Sequence, residues 1–142
     1  MRTLWADDVA SFRGEFARFE SVRVNPKPVR DRSIPVVFGG NSDASLSRVA
    51  AIGDGWYGFN LEAGVVAERV AALAEQCERR GRSLRELAVA VAVADGSPGM
   101  LPELARIGVT EFVVVAAPPA HPAAAVTWVE ELAVQWDIRR AA

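Results

Sequence analysis

The alternation of apolar and polar positions changes character at about residue 34. From there on, short apolar runs alternate with stretches of helical period. Val36, Val37 and Phe38 form a run that stops at Gly39-Gly40. Asn41, Ser42 and Asp43 follow, all residue types that cap helix N-termini. Leu46, Val49 and Ala50 then recur at helical spacing as far as Gly53. The pattern predicts a strand over 35–38, a helix over 42–52 and a short strand over about 55–58. A longer helix over about 63–80 carries Val66, Val70, Leu73, Ala74 and Cys77 as one stripe and ends at Gly81. Leu87 to Ala94 is a continuous, valine-rich apolar run, as expected of a parallel strand buried on both faces. A loop over 95–99 leads to a short helix with Pro102 in its first turn, ending at Ile107-Gly108. A buried strand over 111–116, a stiff Pro-rich loop over 117–122 and a last helix over about 123–136 complete the chain.

The first 33 residues read differently. Leu4, Trp5, Val9 and Phe12 share one helical face with Asp7 and Asp8 opposite, which predicts a helix from about residue 4 ended by Gly14. Phe16, Phe19 and Val22 form an aromatic-rich extended stretch. Pro26 and Pro28 force extended geometry on Val24 to Val29, and Arg30 to Ser33 make a polar loop. The coarse order is therefore helix, Pro-rich extended segment, then βα four times. Strands alternating with helices imply right-handed parallel βαβ units. Four such units suit either a small doubly wound sheet or half of an eight-stranded barrel, and composition does not separate the two.

The chain of 142 residues is 51% apolar and 24% charged, enough for one domain with a real core. A net charge of −2 and the absence of a basic stripe argue against nucleic acid as a partner. Lys27 is the one lysine among 16 basic residues; with so much Ala and Val, this reads as codon bias in a GC-rich genome. Cys77 is alone, so neither a disulfide framework nor a metal-binding spacing is present. The N-terminus has no apolar signal region and no run reaches membrane-spanning length, so the expectation is a cytoplasmic chain without a membrane partner.

Candidate chemistry centres on Gly39, Gly40, Asn41 and Ser42. Two glycines ahead of a helix start let the backbone approach a ligand and aim free N–H groups at it, the physics of a phosphate site. A capped strand-to-helix turn with no ligand explains the same spacing, and the residues alone leave both open. Asp54-Gly55-Trp56 reads as structural, with Trp56 packed in or above a barrel interior and Asp54 bracing a loop. Arg48, one turn into the helix after the glycines, reads as a surface residue rather than a phosphate ligand. His121 sits among prolines with no carboxylate near it in sequence and reads as an exposed loop histidine. Cys77 reads as inert core. Glu130-Glu131 and Asp7-Asp8 read as solvated helix faces, and Trp128 and Trp136 as packing of the last helix on the sheet.

The series Trp5, Gly14, Phe16, Phe19, Pro26-Lys27-Pro28, Ile34-Pro35-Val36, Gly39-Gly40-Asn41-Ser42 and Gly53-Asp54-Gly55-Trp56 resembles the C-terminal half of the bacterial luciferase-like monooxygenase superfamily. The likeness is greatest to the branch that uses the deazaflavin coenzyme F420. Leu104 to Val114 also resembles the family's approach to its final strand. The resemblance implies a TIM (β/α)8 barrel of which residues 34–142 supply βα units five to eight and residues 1–33 the lead-in, one partial domain in all. It implies that Gly39, Gly40, Asn41 and Ser42 hold the phosphate of F420, or alternatively of FMN. Phe59, Asn60 and Glu62, in the loop after the next strand, would face a small organic substrate.

The implied chemistry is hydride transfer in F420 members and oxygen activation through a flavin hydroperoxide in flavin members. The first four strands, absent here, would carry much of the ring pocket, so no residue of this chain receives a proton-transfer role. Weak cofactor binding and little turnover by the isolated chain follow. Two alternatives stand beside this reading. One is a non-catalytic or split half-barrel that pairs with a complementary half or with itself, because an open parallel sheet exposes its edges. The other is a small doubly wound nucleotide-binding domain with the same phosphate loop.

Overall fold

The computed structural model describes residues 1–30, 33–94 and 96–137. Asp31 and Arg32 of the expected polar loop, and Asp95 of the expected loop at 95–99, lie outside the described residues. The chain forms two compact units, residues 1–36 and 37–142.

The first unit contains a short helix, α1 (Arg2–Ala6), and two antiparallel strands, β1 (Ala10–Arg13) and β2 (Arg18–Val22). The helix is shorter than the periodicity predicts, and residues 10–13 are strand. Phe12 decides the difference. It lies opposite Phe19 in the ladder, and the two rings stack with centroids 5.9 Å apart. A cross-strand aromatic pair of this kind stabilises a hairpin. Gly14 therefore opens a hairpin turn rather than ending a helix, with its N–H donating to Ala17 O at 2.9 Å. Lys27 closes α1 from the Pro-rich segment: its Nζ donates to Leu4 O at 2.8 Å and to Asp7 O at 2.6 Å. These carbonyls lie at the helix end, where acceptors lack partners within the helix and a cation is favoured. The Asn25–Pro26 peptide is cis.

The second unit holds a four-stranded parallel sheet. Its elements are β3 (Val37–Gly39), α2 (Asp43–Ile52), β4 (Gly55–Leu61), α3 (Ala63–Glu78), β5 (Ala88–Val93), α4 (Leu101–Ile107), β6 (Glu111–Phe112) and α5 (Ala125–Gln135). The strands lie side by side in chain order, β3-β4-β5-β6. That order separates the two topologies that composition left open. A doubly wound sheet reverses direction at a switch point, whereas a barrel wall adds each new strand beside the last. The sheet has no reversal, so it has the order of a barrel wall.

The helices form as their patterns require. Ser42 caps α2, its Oγ accepting from Ser45 N at 3.3 Å. On α3, Val66, Val70, Leu73 and Cys77 are buried as one stripe against Leu46, Val49 and Ala50 of α2 and against the sheet. On β5 the valines and alanines divide between faces: Val89, Val91 and Val93 join this helix-facing core, while Ala90 and Ala92 are buried on the other face. Gly108 ends α4 in the left-handed region at φ 107°.

Strand β6 is shorter than the predicted 111–116. Thr110 Oγ1 accepts from Val89 N at 2.8 Å and Val113 N donates to Val91 O at 2.8 Å, but beyond that point the chain leaves the ladder. With β6 at the sheet edge no strand lies beyond it among the described residues, and Pro118 and Pro119 lack donors. Trp136 is buried and stacks on Phe112 at 5.0 Å, while α5 itself has no buried residue. No helix among the described residues is long and apolar enough to cross a membrane.

Two outcomes test this core. Leu73→Ala is expected to cost about 2–5 kcal/mol, read as a lower urea midpoint with an unchanged slope. Burial pushes the Cys77 thiol above its ordinary pKa, with the charge of Arg82 acting the other way. A thiol reagent such as Ellman's is therefore expected to react slowly with the native chain and rapidly in urea.

Candidate cofactor-binding site

The strand-to-helix turn at residues 39–42 sits at the C-terminal end of β3, directly ahead of α2. Gly40 has φ +106°, a conformation that L side chains rarely adopt, and a Cβ there would stand 2.9 Å from Ser45 Oγ. The turn is held by its carbonyls. Ser45 Oγ donates to Gly39 O at 2.6 Å, and Trp56 Nε1 donates to Gly40 O at 2.8 Å. Arg69 Nη1 donates to Asn41 O at 3.5 Å and to Asp43 Oδ1 at 2.8 Å. The donors come from α2, β4 and α3 in turn.

The N–H groups of Asn41 and Ser42 meet no backbone carbonyl among the described residues. Those of Asp43 and Ala44, in the first turn of α2, have no acceptor within the helix. Ser42 Oγ accepts from Ser45 N and keeps its own hydrogen to donate. The partial positive charge of a helix N-terminus adds to these donors. The exposed Asp43 carboxylate opposes an anion here, and its pairing with Arg69 offsets that charge. As a donor set, the turn fits a phosphate.

Asn41 links this turn to the next strand. Its Nδ2 donates to Phe59 O at 3.0 Å, which ties the turn to the end of β4 and leaves the second amide hydrogen. Asn41 Oδ1 is buried without a partner among the described residues. An acceptor left so costs roughly 1–3 kcal/mol unless a donor reaches it.

Phe59 and Asn60 belong to β4, which runs on to Leu61, rather than to a loop after a strand ending at 58. Asn60 is an extra residue in the ladder: Phe59 lies opposite Ala92 and Leu61 opposite Val93, and Asn60 has φ 53°. Such a bulge re-aims the strand end. Both residues are exposed and line a small cavity of about 70 Å³ with Ala92, Val93, Ala94 and Val115. Glu62 is the exposed N-cap residue of α3 and makes no side-chain capping bond.

The structure thus brings Asn41 and Phe59 together by a direct bond. Ser45, Trp56 and Arg69 at the turn carry no signal in the sequence that marks them for it. Arg48 is exposed on α2, and the guanidinium at the turn is that of Arg69, which belongs to another helix. His121 is exposed. A larger cavity of about 330 Å³, lined by Leu84, Leu87, Gly108 and Thr110 among others, lies at the opposite end of the strands. Barrel enzymes place their chemistry at the C-terminal strand ends, so this cavity is not the candidate site.

Residues 1–95, which include the turn, β4 and β5, match the luciferase-like monooxygenase family. The chain belongs to that family. Among its relatives, the pyrimidine monooxygenase RutA of Stutzerimonas stutzeri is 33% identical over 103 residues, covering 67% of this chain and 27% of the relative. The FMNH(2)-dependent dimethylsulfone monooxygenase of Pseudomonas fluorescens is 38% identical over 61 residues, 42% of this chain and 16% of the relative. The chain therefore spans about a quarter or less of the length of these relatives.

Among solved structures, the coenzyme F420 dependent tetrahydromethanopterin reductase of Methanopyrus kandleri superposes with a TM-score of 0.55 at 20% identity, over 64% of this chain and 26% of that one. An F420-dependent secondary alcohol dehydrogenase, solved with an F420-acetone adduct, gives a TM-score of 0.55 at 17% identity over 64% of this chain and 28% of that one. These two likenesses speak to the fold, and they agree with the partial barrel wall read from the strand order.

The turn's geometry has a direct test. Gly40→Ala is expected to cost about 1–3 kcal/mol in urea denaturation, through both its φ and the contact with Ser45. Gly64→Ala, near the start of α3 with nothing within 4 Å of the new Cβ, is expected to be neutral or stabilising.

Proposed function

We propose that this chain supplies the phosphate anchor for a flavin-type cofactor, F420 or FMN, in an oxidoreductase of the luciferase-like family. The observation that carries the reading is the turn at 39–42. It combines a glycine at φ +106°, carbonyls already engaged by side chains, and a capped helix N-terminus, all at the C-terminal end of a parallel strand. The N–H groups of Asn41, Ser42 and Asp43 and the Ser42 hydroxyl would hold the phosphate oxygens. Phe59 and Asn60, at the end of the neighbouring strand, would lie on the side where a small organic substrate enters.

When bound, the cofactor supplies hydride transfer or oxygen activation at its ring. This chain's part is to anchor and orient its tail. Residues 34–142 then correspond to βα units five to eight of the barrel, and residues 1–33 to the lead-in. The names of the relatives support a flavin-type cofactor, and the phosphate common to F420 and FMN is the group that the turn recognises. Much of the ring pocket would come from barrel strands other than these four, so binding by the chain alone is weak and turnover slight.

Fluorescence or calorimetric titration against FMN and riboflavin, and against F420 and its dephosphorylated form, tests the anchor. The phosphate-bearing member of each pair is expected to bind about tenfold tighter, the effect of roughly one charge-assisted hydrogen bond. Equal affinity within both pairs would sink the reading.

A second reading, from a different class, is carried by the sheet edges. Among the described residues, β3 and β6 each have a neighbour on one side only, and Val37, Phe59 and Val115 are exposed. In this reading the chain is a non-catalytic half-barrel that pairs with a complementary half or with a second copy to cover those edges. Light scattering on the purified chain is expected to give a dimer or larger species, and a monodisperse monomer would count against it.

A further inference from the structure

Three consecutive carbonyls in the turn, those of Gly39, Gly40 and Asn41, are each captured by a side chain from a different element. A polar side chain commonly takes whichever carbonyl is near, and Trp56, fully buried, needs a partner for its indole N–H in any case. Here three fall on successive residues, two of them short at 2.6 and 2.8 Å and the Arg69 bond long at 3.5 Å, and together they bear on how the turn's peptides point. Asn25–Pro26 is the one cis bond among the described residues, so the turn's peptides are trans. A trans peptide carries its N–H antiparallel to its C=O. Capture of Gly40 O by Trp56 therefore turns the Asn41 N–H away from the indole and the core. Capture of Asn41 O by Arg69 turns the Ser42 N–H away from the guanidinium in the same manner. The Ser45 bond to Gly39 O fixes the peptide ahead of Gly40, where the left-handed residue begins.

We propose that Trp56, Arg69 and Ser45 are positioning residues for the anion site: they preorganise the Asn41 and Ser42 N–H groups as phosphate donors without touching the phosphate themselves. The inference rests on the phosphate reading of the turn given above. It adds a division of labour in which the glycines permit the turn's shape and the three side chains select it. Preorganisation of this kind improves affinity because the loop is not ordered at the moment of binding. The Asp43–Arg69 ion pair belongs to the same device. Arg69 makes both bonds through Nη1, so one guanidinium holds the turn and offsets the carboxylate beside it.

The test uses the full 142-residue chain labelled with ¹⁵N, in two arms. In the first, without ligand, ¹⁵N relaxation reports the order of residues 40–42. Trp56→Phe, which keeps the aromatic bulk and removes the N–H, and Arg69→Gln are each expected to lower that order. Arg69→Lys, which restores the charge and the reach that Gln lacks, is expected to recover most of it. Unchanged order in both Trp56→Phe and Arg69→Gln, each shown to be folded by its spectrum, overturns the proposal whatever the ligand does. In the second arm, inorganic phosphate is titrated. The Asn41 and Ser42 amide signals are expected to shift in the wild type, and the two variants to bind about tenfold more weakly, the effect of roughly one hydrogen bond's worth of orientation. If the wild type shows ordered amides that phosphate does not shift, the anion reading of the turn fails and the proposal falls with it. If the wild type binds and the variants bind equally well, the anion reading survives and the positioning role is refuted.

Discussion

The bond from the Trp56 indole to the Gly40 carbonyl joins the hydrophobic core to the turn proposed as the cofactor anchor. Trp56 is fully buried among α2, α3 and the sheet, so its indole N–H must find an acceptor or carry the cost of an unmade hydrogen bond. The acceptor it finds is at the tip of the neighbouring strand. Room for the indole comes from Gly58, where a Cβ would stand 2.7 Å from the Trp56 ring. The register Phe38 opposite Trp56 brings the indole beside the turn that follows β3. Core packing, strand register and loop shape are thus one constraint read at three places. A change that moved β4 by one residue would turn Trp56 to the other face of the sheet and leave the turn without its central bond.

The parts of the fold written in local pattern were legible before any coordinates. The stripe on α3, the Ser42 cap, the apolar run of β5 and the left-handed end of α4 at Gly108 each follow from residues within a few positions of one another. Where the sequence misled, a contact distant in sequence outweighed a local one. Leu4, Trp5, Val9 and Phe12 do share a helical face, but Phe12 is claimed by Phe19 across a hairpin. Strand β6 has the composition of a buried strand, but length in a strand depends on neighbours, and β6 has one on a single side. The choice between doubly wound sheet and barrel wall was invisible to composition for the same reason, since strand order is a property of pairing.

The candidate site divides along the same line. Gly39, Gly40, Asn41 and Ser42 announce themselves, because glycine pairs and capping residues act locally. The side chains that hold them do not. Ser45 looks like an ordinary helix residue and Arg69 like one of many surface arginines, while Trp56 reads as packed in or above a barrel interior, whereas its place opposite Val89 sets it on the helix-facing side of the sheet. Only the packing of α3 beside the start of α2 brings Arg69 to Asn41 and Asp43, a separation of 28 and 26 residues in sequence. Arg48 lies nearer the turn in sequence, yet it is exposed on α2, while the guanidinium that reaches the turn comes from α3.

The charge balance of the turn bears on what such a site can do alone. Asp43 in the first turn of α2 favours the helix, because a carboxylate there meets the positive end of the macrodipole. The same carboxylate competes with an incoming phosphate for those N–H groups. Arg69 offsets it, which leaves the local charge near neutral and the attraction to the dipoles of a few N–H groups and one hydroxyl. Dipoles of this kind orient an anion well and bind it modestly, since each exchanges a bond to water for a bond to protein. Tight binding of a whole cofactor must then draw on the larger apolar area of its ring, buried by a pocket that four strands of a barrel wall do not enclose. Under the proposed function, the turn would fix where the cofactor's tail sits, with affinity supplied by whatever closes the wall around its ring.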